Sequence, residues 1–85
     1  MAKLIPAAER IIRARQLIQK ARDLPLPVEM GRNDLSYIAG VRDLLRMALD
    51  MIKFISMTPS ASAEVKAEVR QIMEEIDQAD REILG

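Results

Sequence analysis

The 85-residue chain carries thirteen basic and thirteen acidic residues, and it contains no cysteine and no histidine. A chain of this size forms one domain near the lower end of what folds alone, and without cysteine it has neither disulfides nor thiolate zinc sites. Its net charge of zero provides no overall attraction to nucleic acid or to an anionic membrane. We therefore expect a single helical domain over residues 1–85.

The first predicted helix covers residues 6–23, approximately. Pro6 suits a first helical position because the N–H that proline lacks would be unpaired there. Apolar residues then recur three and four positions apart, as one face of a helix requires. They are Ala7, Ile11, Ala14, Ile18 and Ala21. Pro25 and Pro27 then interrupt the pattern and predict a loop over residues 24–33.

The second predicted helix covers residues 34–57, approximately, with Asn33 or Asp34 as its N-cap. Its apolar residues form three adjacent rows and leave only a narrow polar strip. The strip consists of Arg42, Asp43, Arg46, Asp50 and Lys53. A middle helix that contacts a neighbour on either side needs this wider apolar coverage. The pattern therefore favours a helix packed between two others.

The third predicted helix covers residues 62–84, approximately, after a short loop over residues 58–61 that contains Pro59. Either Ser60 or Ser62 can cap its start. Its apolar stripe is the most regular in the chain and resembles a coiled-coil seam. The stripe consists of Val65, Val69, Ile72, Ile76, Ala79 and Ile83. The three helices predict an all-α fold, an antiparallel (up-down-up) three-helix bundle that associates into a larger helical bundle.

Charge is segregated along the chain in spite of its zero total. Residues 1–24 carry six basic and two acidic groups, whereas residues 59–85 carry three basic and seven acidic groups. Rows of opposite charge beside a helical seam select partner helices and their orientation. The candidate orienting charges, spaced seven apart within each helix, are Arg15 and Arg22 in the first and Glu68, Glu75 and Glu82 in the third. They can pair within one chain or between two chains, and the sequence leaves both interpretations open.

The apolar residues outnumber the positions that a small core offers. Several stripe positions are alanine, and a buried alanine stabilises the fold far less than the ~1.5–3 kcal/mol of a leucine or isoleucine. Other apolar side chains are left over, and together they form a candidate interface. They are Ile12, Leu17, Met47, Leu49, Phe54, Met73 and Leu84. The first loop leaves over Leu24, Leu26, Val28 and Met30 as well, and we expect some of these to pack under the bundle. We expect a homo-oligomer, with a dimer favoured, and an unidentified protein partner remains open.

No residue pattern points to catalysis or to a cofactor. Without histidine and cysteine the chain lacks the usual general base, the thiol nucleophile and the commonest transition-metal ligands. The scattered glycines form no nucleotide-binding loop, and the acidic residues of the third helix are typical of a solvated face. The sequence predicts no enzyme, no cofactor and no metal site. It predicts a small non-catalytic helical protein–protein interaction or assembly module.

Nucleic-acid binding is the alternative function. A basic helix can lie along phosphates, and Arg10, Arg13 and Lys20 of the first predicted helix have the spacing to face outward together. Zero net charge, the acidic third helix and the lack of stacking aromatic residues argue against it. A membrane is not expected either, since Arg46 and Asp50 interrupt the most apolar stretch. We therefore expect a cytoplasmic protein.

Overall fold

The computed structural model describes residues 6–29, 31–55 and 57–85, with Arg32 described by its backbone alone. It contains three α-helices and one 3-10 turn. They are α1 (Ala7–Asp23), the 3-10 turn (Gly31–Asn33), α2 (Leu35–Ile52) and α3 (Ala63–Leu84). No strand occurs in the described ranges, so the predicted all-α class is confirmed for them. Residues 1–5, Met30 and Ser56 belong to the predicted domain and helix ranges but lie outside the described residues.

The ends of α1 follow from two prolines. Pro6 occupies the N-cap position, and its carbonyl accepts the first helical hydrogen bond, from the Arg10 N–H at 3.0 Å. At the other end Leu24 is extended, with φ −60° and ψ 130°. Leu24 precedes Pro25, and the proline ring disfavours helical backbone in the residue before it. Helix α1 therefore ends at Asp23.

Side chains cap the starts of α2 and α3. The Asp34 carboxylate accepts a hydrogen bond from the Tyr37 N–H at 3.0 Å, and the Ser62 hydroxyl accepts one from the Val65 N–H at 3.2 Å. Each bond satisfies one of the donors that the first turn of a helix leaves unpaired. Before α2, Gly31 has a φ of +54°, a left-handed conformation that glycine adopts at little cost.

Helix α2 ends at Ile52, earlier than the sequence pattern indicated, and tighter turns replace its last predicted residues. The Ile55 N–H donates to the Ile52 carbonyl, and the Thr58 N–H donates to the Ile55 carbonyl, at 3.0 and 3.1 Å. The Thr58 hydroxyl also donates to the Phe54 carbonyl at 2.9 Å. Because Thr58 precedes Pro59, a continued α-helix is unfavourable there. The apolar periodicity alone therefore did not predict where α2 ends.

All three helices contact one another around one hydrophobic core. The core is formed by the apolar stripes of the helices and by Ile55. Its buried residues are Ile11, Ala14, Ile18, Ala21, Val41, Leu45, Ala48, Ile52, Ile55, Val69, Ile72 and Ala79. No polar or charged side chain is buried among the described residues. Four of the buried residues are alanines, and small side chains let helix axes approach closely.

Candidate interaction surface

Ion pairs line the edge where α1 meets α3. The two terminal nitrogens of Arg15 contact Glu68 and Glu75, at 3.1 and 3.5 Å. About two helical turns further along α1, Arg22 Nη1 contacts Glu82 Oε2 at 2.7 Å. The structure therefore brings all five candidate orienting charges together within one chain, and each of these side chains remains partly exposed to solvent.

Glu82 is the most strongly hydrogen-bonded of these carboxylates. It accepts hydrogen bonds from Arg22 and from the Gln78 side-chain amide, at 2.7 and 2.8 Å. These two bonds, with the Arg22 bond first, hold the pKa of the Glu82 carboxyl below its ordinary value, because both favour the ionised form. The α1–α3 edge is thus a charged seam whose groups already have partners.

The edge where α1 meets α2 has a different character. A groove of about 350 Å³ runs along it. Its lining residues are Arg13, Gln16, Leu17, Lys20, Met47 and Met51. Leu17 and Met51 are half-buried against the core, whereas Met47 is 52% exposed. The floor of the groove is therefore apolar, and polar and basic side chains of α1 form one rim.

Two more predicted interface residues of the α2 region, Leu49 and Phe54, are also accessible. Phe54 lies seven residues after Met47 and is 61% exposed, and the Lys53 ammonium lies 5.1 Å from the centre of its ring. Leu49, which is 36% exposed, lines a second groove of about 260 Å³ between α2 and α3. Apolar side chains thus flank the charged strip of α2 on both of its sides.

The remaining predicted interface residues lie elsewhere. Met73 and Leu84 are half-buried and pack against the core, so part of their apolar surface is already covered. Ile12 is 56% exposed on the side of α1 that faces away from the core. The structure therefore does not bring the seven predicted interface residues into one patch. Of the seven, Met47 and the half-buried Leu17 line the α1–α2 groove together.

A second exposed apolar region includes two of the apolar loop residues that the sequence pattern leaves over. Leu26 and Val28, in the loop after α1, and Leu35, at the first position of α2, all have more than half of their surface exposed. The apolar character of the proline-containing loop was the only sequence signal for Leu26 and Val28. Leu35 directly follows the capping residue Asp34, a position that periodicity assigned to no stripe.

The basic residues of the nucleic-acid alternative do not share one open face. Arg13 and Lys20 line the α1–α2 groove, and Arg13 also pairs with Glu9 at 3.0 Å within α1. Arg10 instead donates to the Met51 carbonyl at 3.4 Å and lines a third pocket. That pocket, of about 530 Å³, lies where the start of α1 meets the loop before α3.

The described residues contain neither a cluster suited to a metal ion nor a helix suited to a membrane. No group of three or more acidic side chains there has the arrangement to hold a metal ion. No helix in the same part of the chain combines the length and the apolar character needed to cross a membrane. No family model, curated protein or solved structure matches the chain. The surface of the chain itself therefore carries the functional argument.

Proposed function

We propose that the protein is a small non-catalytic helical module that acts through protein–protein contacts and associates with itself, with a dimer as the favoured form. The observation that carries this proposal is the accessible apolar surface along α2. Met47, Leu49 and Phe54 are 52%, 36% and 61% exposed within one stretch of eight residues. Single exposed apolar side chains are common on protein surfaces, but three of them so close together, on both sides of the charged strip of α2 and in the turn after it, favour an interface.

The composition of the core supports the same proposal. Four of its buried residues, Ala14, Ala21, Ala48 and Ala79, have the smallest side chain that a core can use. Each stabilises the fold by much less than the ~1.5–3 kcal/mol of a buried leucine or isoleucine. Small domains with a limited core commonly gain stability from oligomerisation. Covering the exposed side chains of α2 would provide such a gain.

An up-down-up arrangement of the helices is part of this proposal, and the order of contacts supports it. Along α1, Arg15 contacts Glu68 and Arg22 contacts Glu82, so these contacts advance in the same direction on α1 and α3. Between α1 and α2 the order reverses. Arg10 contacts Met51, whereas the later residue Leu24 lies beside the earlier residue Gly40.

We also propose that the protein is cytoplasmic, and composition supports both this location and the absence of catalysis. A chain with no histidine and no cysteine has few side chains suited to acid–base or nucleophilic chemistry at neutral pH. It also needs no oxidising compartment for its fold, which favours the cytoplasm.

Light scattering over a concentration series, at low and at high salt, tests the self-association. We expect a dimer whose population rises with concentration and falls only moderately at high salt, because apolar contacts provide most of the association energy. The double variant Met47→Ser with Phe54→Ser should weaken the dimer about tenfold or more. The matched control Val28→Ser removes another exposed apolar side chain and should leave the dimer unchanged. A chain that stays monomeric at every concentration would overturn the proposal.

Phosphate binding by α1 is the second candidate function, since Arg13 and Lys20 line the same groove. Its support is weaker because the Arg13 guanidinium is already paired with Glu9 and Arg10 with the Met51 carbonyl. Fluorescence anisotropy with a labelled DNA duplex distinguishes the two functions. Phosphate binding would weaken steeply as salt rises, and the double variant Arg13→Gln with Lys20→Gln would reduce it further.

A further inference from the structure

We infer that the partner on the outer face of α2 is a second copy of the same helix, packed antiparallel about a two-fold axis that crosses the helix at the level of position 48. This inference rests on the proposed self-association and specifies its geometry. Its first support is that the outer face of α2 is uncovered. Asp43, Arg46, Met47, Leu49 and Asp50 are all exposed there, while the opposite side of the helix is buried in the core.

The charges on this face are self-complementary when a second copy of the helix runs in the opposite direction. Asp43, Arg46, Asp50 and Lys53 lie three, four and three residues apart, so they form one strip with alternating sign. The backbone of Lys53 is still helical, which continues the strip past the end of α2. An antiparallel copy presents the same charges in reverse, and every negative position then meets a positive one.

One register satisfies all of these pairs. The midpoint between Asp43 and Lys53 is position 48, and the midpoint between Arg46 and Asp50 is also position 48. A single two-fold axis at the level of position 48 therefore sets Asp43 opposite Lys53 of the other copy and Arg46 opposite Asp50 of the other copy, each twice. An arrangement in which the two helices ran parallel would place like charges side by side.

The apolar side chains fit the same register. Met47 and Leu49 lie one position to either side of the axis and on opposite edges of the charged strip. A two-fold rotation brings the two Met47 side chains together on one edge and the two Leu49 side chains together on the other. The strip of charges then lies between two apolar contacts, an arrangement that resembles the mixed polar and apolar contacts of protein interfaces.

The exposed aromatic ring also finds a place in this arrangement. On the Met47 edge, Phe54 comes opposite the start of α2 in the other copy, near Gly40. A side chain added to Gly40 would meet only Leu24 Cδ1 of its own chain, at 3.6 Å, so the glycine is not required by packing within the chain. Gly40 is half-buried beside Leu24, and it adds no side chain of its own where the ring would approach.

Contacts within the chain explain part of the charge pattern, and the test must separate them from contacts between copies. Lys53 Nζ already lies 2.9 Å from Asp50 Oδ1 of its own chain. Exchanging the charges at positions 46 and 50 keeps opposite charges at these two positions but sets like charges three residues apart at 43 and 46 and at 50 and 53. These changes within one helix affect the stability of the monomer. Contacts between copies affect the dissociation constant of the dimer, which is measured separately.

The decisive experiment is a charge exchange on α2, measured as the dissociation constant of the dimer by analytical ultracentrifugation at low salt. Arg46→Asp or Asp50→Arg alone places two like-charge contacts in the interface, and each should weaken the dimer about tenfold. The double variant Arg46→Asp with Asp50→Arg restores opposite charges and should recover the original constant to within about threefold. Thermal unfolding at dilute concentration checks that every variant folds.

Cross-linking provides the second measurement, because a chain without native cysteine gives a clean background. Met47→Cys should form a covalent dimer under mild oxidation, since the axis brings its two copies together. Ile12→Cys, which is equally exposed on α1, should not.

Two results would overturn this geometry: a dissociation constant that neither charge reversal changes, or cross-linking through position 12 and not through position 47. Neither result would contradict the proposed self-association. A chain that is monomeric throughout would overturn both.

Discussion

The two edges of α1 contact their neighbouring helices through different kinds of side chain. Its edge toward α3 is closed by ion pairs from Arg15 and Arg22, whereas its edge toward α2 is an apolar groove that includes the exposed Met47. Ion pairs between α1 and α3 close the first edge. Along the second edge, basic side chains of α1 stand beside the exposed apolar side chain of Met47. Charge patterning therefore indicates how the helices are oriented, and exposed apolar area indicates where a further partner could bind.

The energies of the two edges differ in kind. An ion pair on the surface contributes ~0.2–1 kcal/mol and is weakened by salt, because the charges stay largely hydrated. Burial of apolar area contributes roughly 25 cal/mol per Å² and depends little on salt. The charged edge therefore selects an arrangement more than it stabilises one, and the apolar residues provide most of the stabilisation.

The largest expected effect comes from the core that both edges share. Ile52→Ala removes one of the largest fully buried side chains and should lower the free energy of unfolding by about 2–5 kcal/mol, equally at low and high salt. The matched change Ile12→Ala alters an isoleucine on the exposed side of α1 and should cost less than about 0.5 kcal/mol. Urea denaturation of dilute protein measures both. Similar losses for the two variants would contradict the placement of the core.

A smaller effect is expected at the charged edge. Arg15→Gln removes the contacts to Glu68 and Glu75 and should cost up to about 1 kcal/mol at low salt, since all three side chains are partly exposed. At about 1 M salt the loss should nearly vanish because charges are screened over about 3 Å. Arg13→Gln, which breaks only the pair with Glu9 inside α1, is the control and should cost about 0.3–0.5 kcal/mol. A loss that persists unchanged in salt would show that Arg15 acts by packing.

The smallest expected effect is a pH dependence from Glu82. Its pKa is lower in the folded chain than its ordinary value of 4.5, so ionised Glu82 favours folding. This contribution is fully present above the ordinary value and is lost as the pH falls through the lowered one. NMR titration of the Glu82 carboxyl should therefore give a midpoint below 4.5. Arg22→Gln should raise that midpoint, since Arg22 is the main cause of the shift, and an unchanged midpoint would contradict this assignment.

The stripes of apolar residues predicted the three helices and most of the buried side chains. They did not predict the end of α2, because the turns after Ile52 depend on Thr58, Pro59 and local hydrogen bonds that periodicity does not measure. Nor did they show which leftover apolar residues lie together. Leu17 and Met47 line one groove, whereas Ile12 lies away from it, because helix rotation and neighbouring elements decide what each residue faces.

By itself the sequence determined the all-α class, the three helical segments, and the rows of Arg and Glu that can pair. These follow from spacing along the chain, and spacing is a local property. Tertiary structure alone decided that the rows meet within one chain, that Arg10 turns to the Met51 carbonyl, and that Met47 and Phe54 are exposed. Each of those outcomes depends on which surfaces of two helices meet, and residues far apart in sequence set that together.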